Sequence, residues 1–168
     1  MVAVLISIKP KWCDLILRGE KTIEVRKSRP KLQTPFKCYI YCTQGTGKNT
    51  LNIPVPFERI RDDYIETGSM KSLNCPIGNG KVVGEFICKS IGKYPWVEIE
   101  GEKCYFITTE EGERTGLNYD DVVRYGAGQD IYLWGIENMK IYDKPLELTD
   151  FGIDRAPQDW RYVDERQE

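Results

Sequence analysis

The residues best placed to do chemistry lie in RGEKTIEVRKSRPK, positions 18–31. KTIEVRK alternates with period two, so Ile23 and Val25 share one face of a strand and Thr22, Glu24 and Arg26 the other. Arg26 could take a phosphate or a carbonyl in a forked, planar contact. Glu24 beside it could accept from a base amino group or hold Arg26 in place. Lys21, at the entry of the strand, could serve as acid, base or nucleophile. Lys27, Arg29 and Lys31 follow, and Lys9 and Lys11 stand upstream, so a strand of RNA or a nucleotide phosphate would find a basic wall. From residue types alone, a salt-bridged strand face explains the same pattern more simply.

Other chemistries are narrowed by absence. The chain has no histidine, which removes Ser-His-Asp and Cys-His pairs, H-E-x-x-H metalloproteases and histidine-based deaminase zinc sites. None of the six cysteines forms a C-x-x-C pair, so reduced, mostly buried thiols are expected and no metal site is assigned. TQGTGKNT (43–50) imitates a phosphate loop, but Cys42 stands where the first glycine should be and Asn49 where the Mg²⁺-binding hydroxyl should be. EIEGE (98–102) and TEEGERTG (109–116) read as acidic, solvated loops. Most of the aromatics are expected to fill core. Trp160, after a proline-containing turn, reads as a tail anchor or as the roof of a pocket that stacks on a base.

These residues must be positioned by a chain of 168 residues, read as one domain over 1–168 with an insertion at about 44–79. VAVLISI (2–8) is an apolar, β-branched run expected as a central strand. A short helix is expected from Pro10 to Arg18, with Gly19 just past its end. FKCYIYC (36–42), KVVGEFICKSI (81–91) and KCYFITT (103–109) are strand candidates, and 130–148 is one long strand or two joined ones with a bulge at Gly135. FERIRDDYIETG suggests a helix inside the insertion. LNYDDVVRYGAG predicts a helix capped by Asn118 and closed by Gly126. The order implies an α+β fold, a mixed β-barrel with short peripheral helices. No apolar run reaches the ~20 residues of a membrane span, and the start lacks a signal-peptide n-region, so a cytoplasmic protein without membrane partners is expected.

Net charge is −2, yet residues 1–50 carry ten Lys/Arg against three Asp/Glu, while 51–168 carry 14 against 23. A basic face on an acidic protein follows.

G-E-K-T-I-E-V-R at Gly19–Arg26 resembles the G-x-K-x-x-E-x-R signature of the ASCH domain, a PUA-like family. LISIKPKWCDLILRGEKTIEVRKSRPK, YIYCTQG, KVVGEFIC, YLWGIENMKIYDKPLEL and APQDWRYV resemble successive elements of bacterial and phage members. The resemblance implies a PUA-like mixed β-barrel in which Gly19 makes the turn and Lys21, Glu24 and Arg26 line a cleft beside the first helix. It implies binding of RNA or of a modified nucleoside, with Lys9, Lys11, Lys27, Arg29 and Lys31 along the backbone and Trp160 on a base. The alternative it carries is hydrolysis of acylated nucleosides, or a metal-dependent ribonuclease, through Lys21 and Glu24. The small amidohydrolases have a threonine at the position of Glu24, and Glu110, Glu111, Glu113 and Asp121 are the acids available for their further catalytic acid. No cofactor is implied, Mg²⁺ or Mn²⁺ entering only under the ribonuclease alternative, and a protein partner is the third reading.

Overall fold

β1 (Val2–Ile8) is the strand around which the rest is arranged in a computed structural model that describes residues 1–45, 50–54, 65 and 77–166. It pairs in parallel with β3 (Phe36–Cys42) and antiparallel with β8 (Trp160–Asp164). β3 pairs with β4 (Lys81–Tyr94), β4 with β7 (Ile131–Leu146), and β7 with β2 (Ile23–Arg26), all antiparallel. The order is therefore β2-β7-β4-β3-β1-β8, with a separate hairpin of β5 (Val97–Ile99) and β6 (Glu102–Cys104).

The expectation of an α+β fold holds, built on one large, mostly antiparallel sheet. Barrel closure does not: among the described residues β2 pairs only with β7 and β8 only with β1, so the sheet is open. Side chains rather than backbone bonds bridge the gap between these edges, as the site below shows.

Apolar patterning explains the layers. β1 is buried on both faces, as a continuous β-branched run should be. Val4, Ile6 and Ile8 pack with Cys13, Ile16 and Leu17 of α1 (Pro10–Leu17) and with Phe36, Ile40 and Trp134. Ala3 and Leu5 face the other way, onto Tyr39, Val82, Ile153 and Val163. Ile23 and Val25 of β2 join Tyr105, Val122, Ile131 and Leu133 in a third cluster. Cys13, Cys38, Cys42 and Cys88 are buried free thiols, and burial pushes Cys88 up to about 12.

Several local expectations change. TEEGERTG is not a loop: Thr109–Thr115 forms α2, because Thr108 and Glu111 make a reciprocal capping box (Glu111 N–H to Thr108 Oγ1 3.2 Å, Thr108 N–H to Glu111 Oε2 2.9 Å). EIEGE forms the β5–β6 turn. The strand expected over KCYFITT stops at Cys104. Tyr105 leaves the ladder because its N–H donates to the Tyr119 hydroxyl (3.1 Å) and its own hydroxyl to Gln129 O (2.5 Å).

α3 (Tyr119–Gly126) has the expected Asn118 cap, which accepts from Asp121 N–H at 2.8 Å. Its left-handed closing residue is Ala127, not Gly126. Gly126 serves close approach, since a Cβ there would lie 1.8 Å from the Tyr105 hydroxyl oxygen. Residues 131–146 form one strand, and the extra residue near Gly135 sits on the opposite strand, where Cys88–Ile91 slips against Trp134–Ile136.

The helix expected at FERIRDDYIETG and the TGKN of the glycine-rich loop (46–49) lie outside the described residues. Of the expected insertion, Leu51 and Ile53 reach the main core. Among the described residues no helix is long and apolar enough to cross a membrane.

Candidate functional site

The floor of the site follows from the end of α1 and the alternation of β2. Gly19, at φ +76°, turns the chain out of the helix, and Leu15 O accepts the N–H groups of Glu20 (2.9 Å) and Lys21 (3.1 Å). The chain then enters β2 with Ile23 and Val25 in the core, so Glu24 and Arg26 face the opposite side. Lys21, Glu24 and Arg26 are 2 %, 6 % and 8 % exposed. Charges so deeply buried require partners, since the effective desolvation cost is several kcal/mol per ion.

They find those partners in a chain of alternating sign. Lys21 Nζ donates to Ile23 O and Thr115 O, both at 2.7 Å, and lies 3.1 Å from Glu24 Oε2. Glu24 Oε1 lies 3.0 Å from Arg26 Nε, an ion pair without hydrogen-bond alignment, since that N–H finds no acceptor among the described residues. Arg26 Nη1 meets Asp159 Oδ1 at 2.8 Å and Nη2 donates to Ser7 O at 2.6 Å. Burial would lower the Arg26 pKa, but the Glu24 and Asp159 carboxylates outweigh it and hold it above its ordinary range.

Arg26 is thus what joins the open edges of the sheet. It reaches from β2 to the backbone of β1 and to the segment leading into β8. That segment is held along β1 as well: Ser7 N–H donates to Asp159 O (2.9 Å) and Ser7 Oγ to Pro157 O (2.6 Å).

Above this floor opens a cleft of about 1000 Å³. One wall is the start of α1, with Lys9, Lys11 and Trp12. A second is Leu117 and α3, with Asp121, Arg124 and Tyr125, and a third is Ala156–Asp159. The floor is balanced, Lys21 and Arg26 against Glu24 and Asp159. Arg124 is paired with Asp121 at 3.0 Å. Lys9, Lys11 and Lys27 have no carboxylate partner among the described residues; Lys11 Nζ sits 4.6 Å from the Trp12 ring centroid and Lys27 Nζ 5.3 Å from that of Tyr125.

Six of the residues singled out in the sequence therefore meet in one cleft: Lys9, Lys11, Lys21, Glu24, Arg26 and Lys27. Arg29 and Lys31 are exposed and lie outside its lining, where the Lys31 N–H donates to the Tyr162 hydroxyl (2.7 Å). Trp160 does not roof the cleft. Its Nε1 donates to Ser28 Oγ (2.7 Å), and its ring packs against Trp134 and Tyr162 with centroids 6.2 and 5.3 Å away, anchoring the tail.

Of the four acids available for the facing wall, Asp121 alone lines the cleft; Glu111 instead binds the Tyr94 hydroxyl. Among the described residues no three acidic or thiol side chains gather as a metal-ligand set.

Trp12, Tyr125 and Asp159 join the cleft without a signal of their own in the sequence. Burial of Arg26 does imply a second carboxylate beyond Glu24, but nothing local points to Asp159, which is 133 positions away.

A family model described as ASCH domain matches residues 6–105. The crystal structure of ASCH from Zymomonas mobilis is similar over 97 % of this chain and 88 % of that one, with 14 % identity and a TM-score of 0.62. A tyrosine-to-phenylalanine mutant of the same protein superposes over 97 % and 91 % with a TM-score of 0.59, again at 14 % identity. These likenesses establish the fold. No curated protein matches the chain.

Proposed function

The chain belongs to the ASCH domain family, and from that premise we propose that it is an RNA-binding module whose cleft takes a single strand. One observation carries the reading: Lys9, Lys11 and Lys27, without carboxylate partners among the described residues, ring a floor whose own charges cancel. A balanced floor has no net attraction for phosphate, so the electrostatic pull lies at the rim, where a backbone would run. The volume, about 1000 Å³, is at the upper end of the roughly 300–1,000 Å³ typical of small-molecule pockets, and room for more than one nucleotide favours a strand over a lone nucleoside.

The alternative, hydrolysis through Lys21 as base or nucleophile, uses the same residues less well. That nitrogen already serves two carbonyls and Glu24, so it would have to abandon three partners before acting. The binding reading uses it as it stands, holding Glu24 at the cleft floor. Arg29 and Lys31, exposed and outside the cleft lining, are assigned only a minor share of the affinity.

Fluorescence anisotropy with a labelled single-stranded RNA, titrated across salt, tests this. Three rim contacts predict a log–log salt slope of about −2, at roughly −0.7 per neutralised phosphate. Lys9→Gln, Lys11→Gln and Lys27→Gln together should flatten it, whereas Arg29→Gln with Lys31→Gln should leave it nearly unchanged. Binding that is absent, or is unmoved by the triple change, overturns the proposal.

A further inference from the structure

We propose that Trp12 and Tyr125 form a base-stacking subsite in this cleft, so that the ligand is held by a planar nucleobase as well as by its phosphates. The inference rests on the RNA-binding reading and names what the cleft walls recognise.

Two aromatic rings enter the cleft from two different helices, and each keeps part of its surface outside the core. α1 buries Cys13, Ile16 and Leu17, leaving Trp12 half-exposed at the edge of the first cluster. Tyr125 is 40 % exposed and belongs to no core cluster among the described residues, although it sits in the last turn of a helix whose Val122 is fully packed. Leu117 lies on the same wall as Tyr125, so this side of the cleft offers an apolar surface beside the ring. A site for phosphate alone has no use for such walls. A base has two π faces to cover, and stacking on aromatic side chains tolerates any sequence.

The rings are also held before a ligand arrives. Lys11 Nζ and Lys21 Nζ stand 4.6 and 5.6 Å from the Trp12 centroid, and Lys27 Nζ stands 5.3 Å from that of Tyr125. The Tyr125 hydroxyl sits beside the Lys27 backbone and within the field of Arg26, Asp159 and Glu24, at the edge of the floor. Gly116, the left-handed residue that closes α2, backs the same wall, its Cβ position lying 4.0 Å from the Trp12 ring, an ordinary contact distance. Each ring therefore has a cation that also belongs to the rim or the floor. A backbone phosphate near Lys11 or Lys27 brings its own base within reach of the adjoining ring.

The test compares two oligomers of equal length, oligoadenylate and its abasic ribose-phosphate counterpart, against wild type, Trp12→Ala, Tyr125→Ala, Trp12→Phe and Tyr125→Phe. Each alanine variant should weaken oligoadenylate binding roughly 5- to 150-fold, the range for losing one stacked base, with abasic binding changed less than about twofold. The phenylalanine variants should keep most of the affinity. Oligoadenylate should quench the tryptophan fluorescence of the wild type, and that quenching should vanish in Trp12→Phe although binding persists.

Equal losses for both oligomers, or none, overturn the subsite while leaving RNA binding standing. Wild-type affinity that is the same for both oligomers does likewise. If neither oligomer binds the wild type, the RNA-binding reading fails and the subsite falls with it.

Discussion

Replacing Lys21 with methionine would remove one ammonium and keep almost the same volume, so the change is electrostatic rather than a cavity. The lost nitrogen makes two 2.7 Å hydrogen bonds to Ile23 O and Thr115 O and a 3.1 Å ion pair with Glu24, whose side chain is 7 % exposed. The variant therefore leaves Glu24 only Arg26, a cation it shares with Asp159, beside two carbonyls that have lost their donor. Removing one partner of a buried pair costs about 3–5 kcal/mol. For a chain of 168 residues, each kcal/mol shifts Tm by about 2–4 °C, so a fall of roughly 6–20 °C is expected in a melt followed by circular dichroism. Adding Glu24→Gln should recover part of the loss, because the excess buried negative charge is gone, giving a coupling of about 0.5–3 kcal/mol in the double-mutant cycle. A Lys21→Met protein that melts within about 2 °C of wild type, under 1 kcal/mol, would refute the reasoning. Lys21 would then be a group free to act on a ligand, and the hydrolytic alternative would regain its main residue.

Two further outcomes follow from the helices that wall the cleft. Gly126→Ala places a methyl against the Tyr105 hydroxyl and should cost about 1–3 kcal/mol as overpacking; because α3 must shift to accommodate it, RNA affinity should fall with stability, and an unchanged melt would contradict the close approach. Glu111 is pushed up by burial, but bonds from the Tyr94 hydroxyl and from Thr108 outweigh this and hold it below its ordinary 4.5. A depressed folded pKa contributes stability above the unfolded value and loses it as pH falls through the folded one. The Tm advantage of wild type over Glu111→Gln should thus be constant above about pH 5 and shrink below 4.5; a gap that persists to pH 3 would show that the carboxylate is not what holds α2.

Much of this site is legible in the sequence because its spacing is local. The period-two pattern of KTIEVRK places Glu24 and Arg26 on one face whatever the strand pairs with, and Gly19 ends α1 for reasons contained within one turn. The capping box of α2 is equally local, written as Thr108 and Glu111, but the acids of TEEGERTG disguise it as a solvated loop. Asn118, by contrast, is recognisable as a cap because an amphipathic helix follows it.

Other features depend on contacts distant in sequence. The barrel expectation comes from strand count, which says nothing about whether the last edge closes; here Arg26, Ser7 and Asp159 span that gap instead. Trp160 is the tryptophan the sequence offers for stacking on a base, and Trp12 reads as core. Trp160 is consumed by Trp134, Tyr162 and Ser28, whereas Trp12 lines the cleft. Arg29 and Lys31 share the charge of Lys27 but not its position.

The signature, its strand face and the basic first third belong to the amino-acid sequence alone, because alternation, caps and charge are properties of neighbouring residues. Tertiary structure was needed to decide that the signature's charges satisfy one another and that Lys9, Lys11 and Lys27, unpaired with carboxylates among the described residues, line the same cleft as two rings. The reason is physical: a buried charge must be paired, and the fold chooses its partners, here Thr115 for Lys21 and Asp159 for Arg26, from segments 94 and 133 positions away.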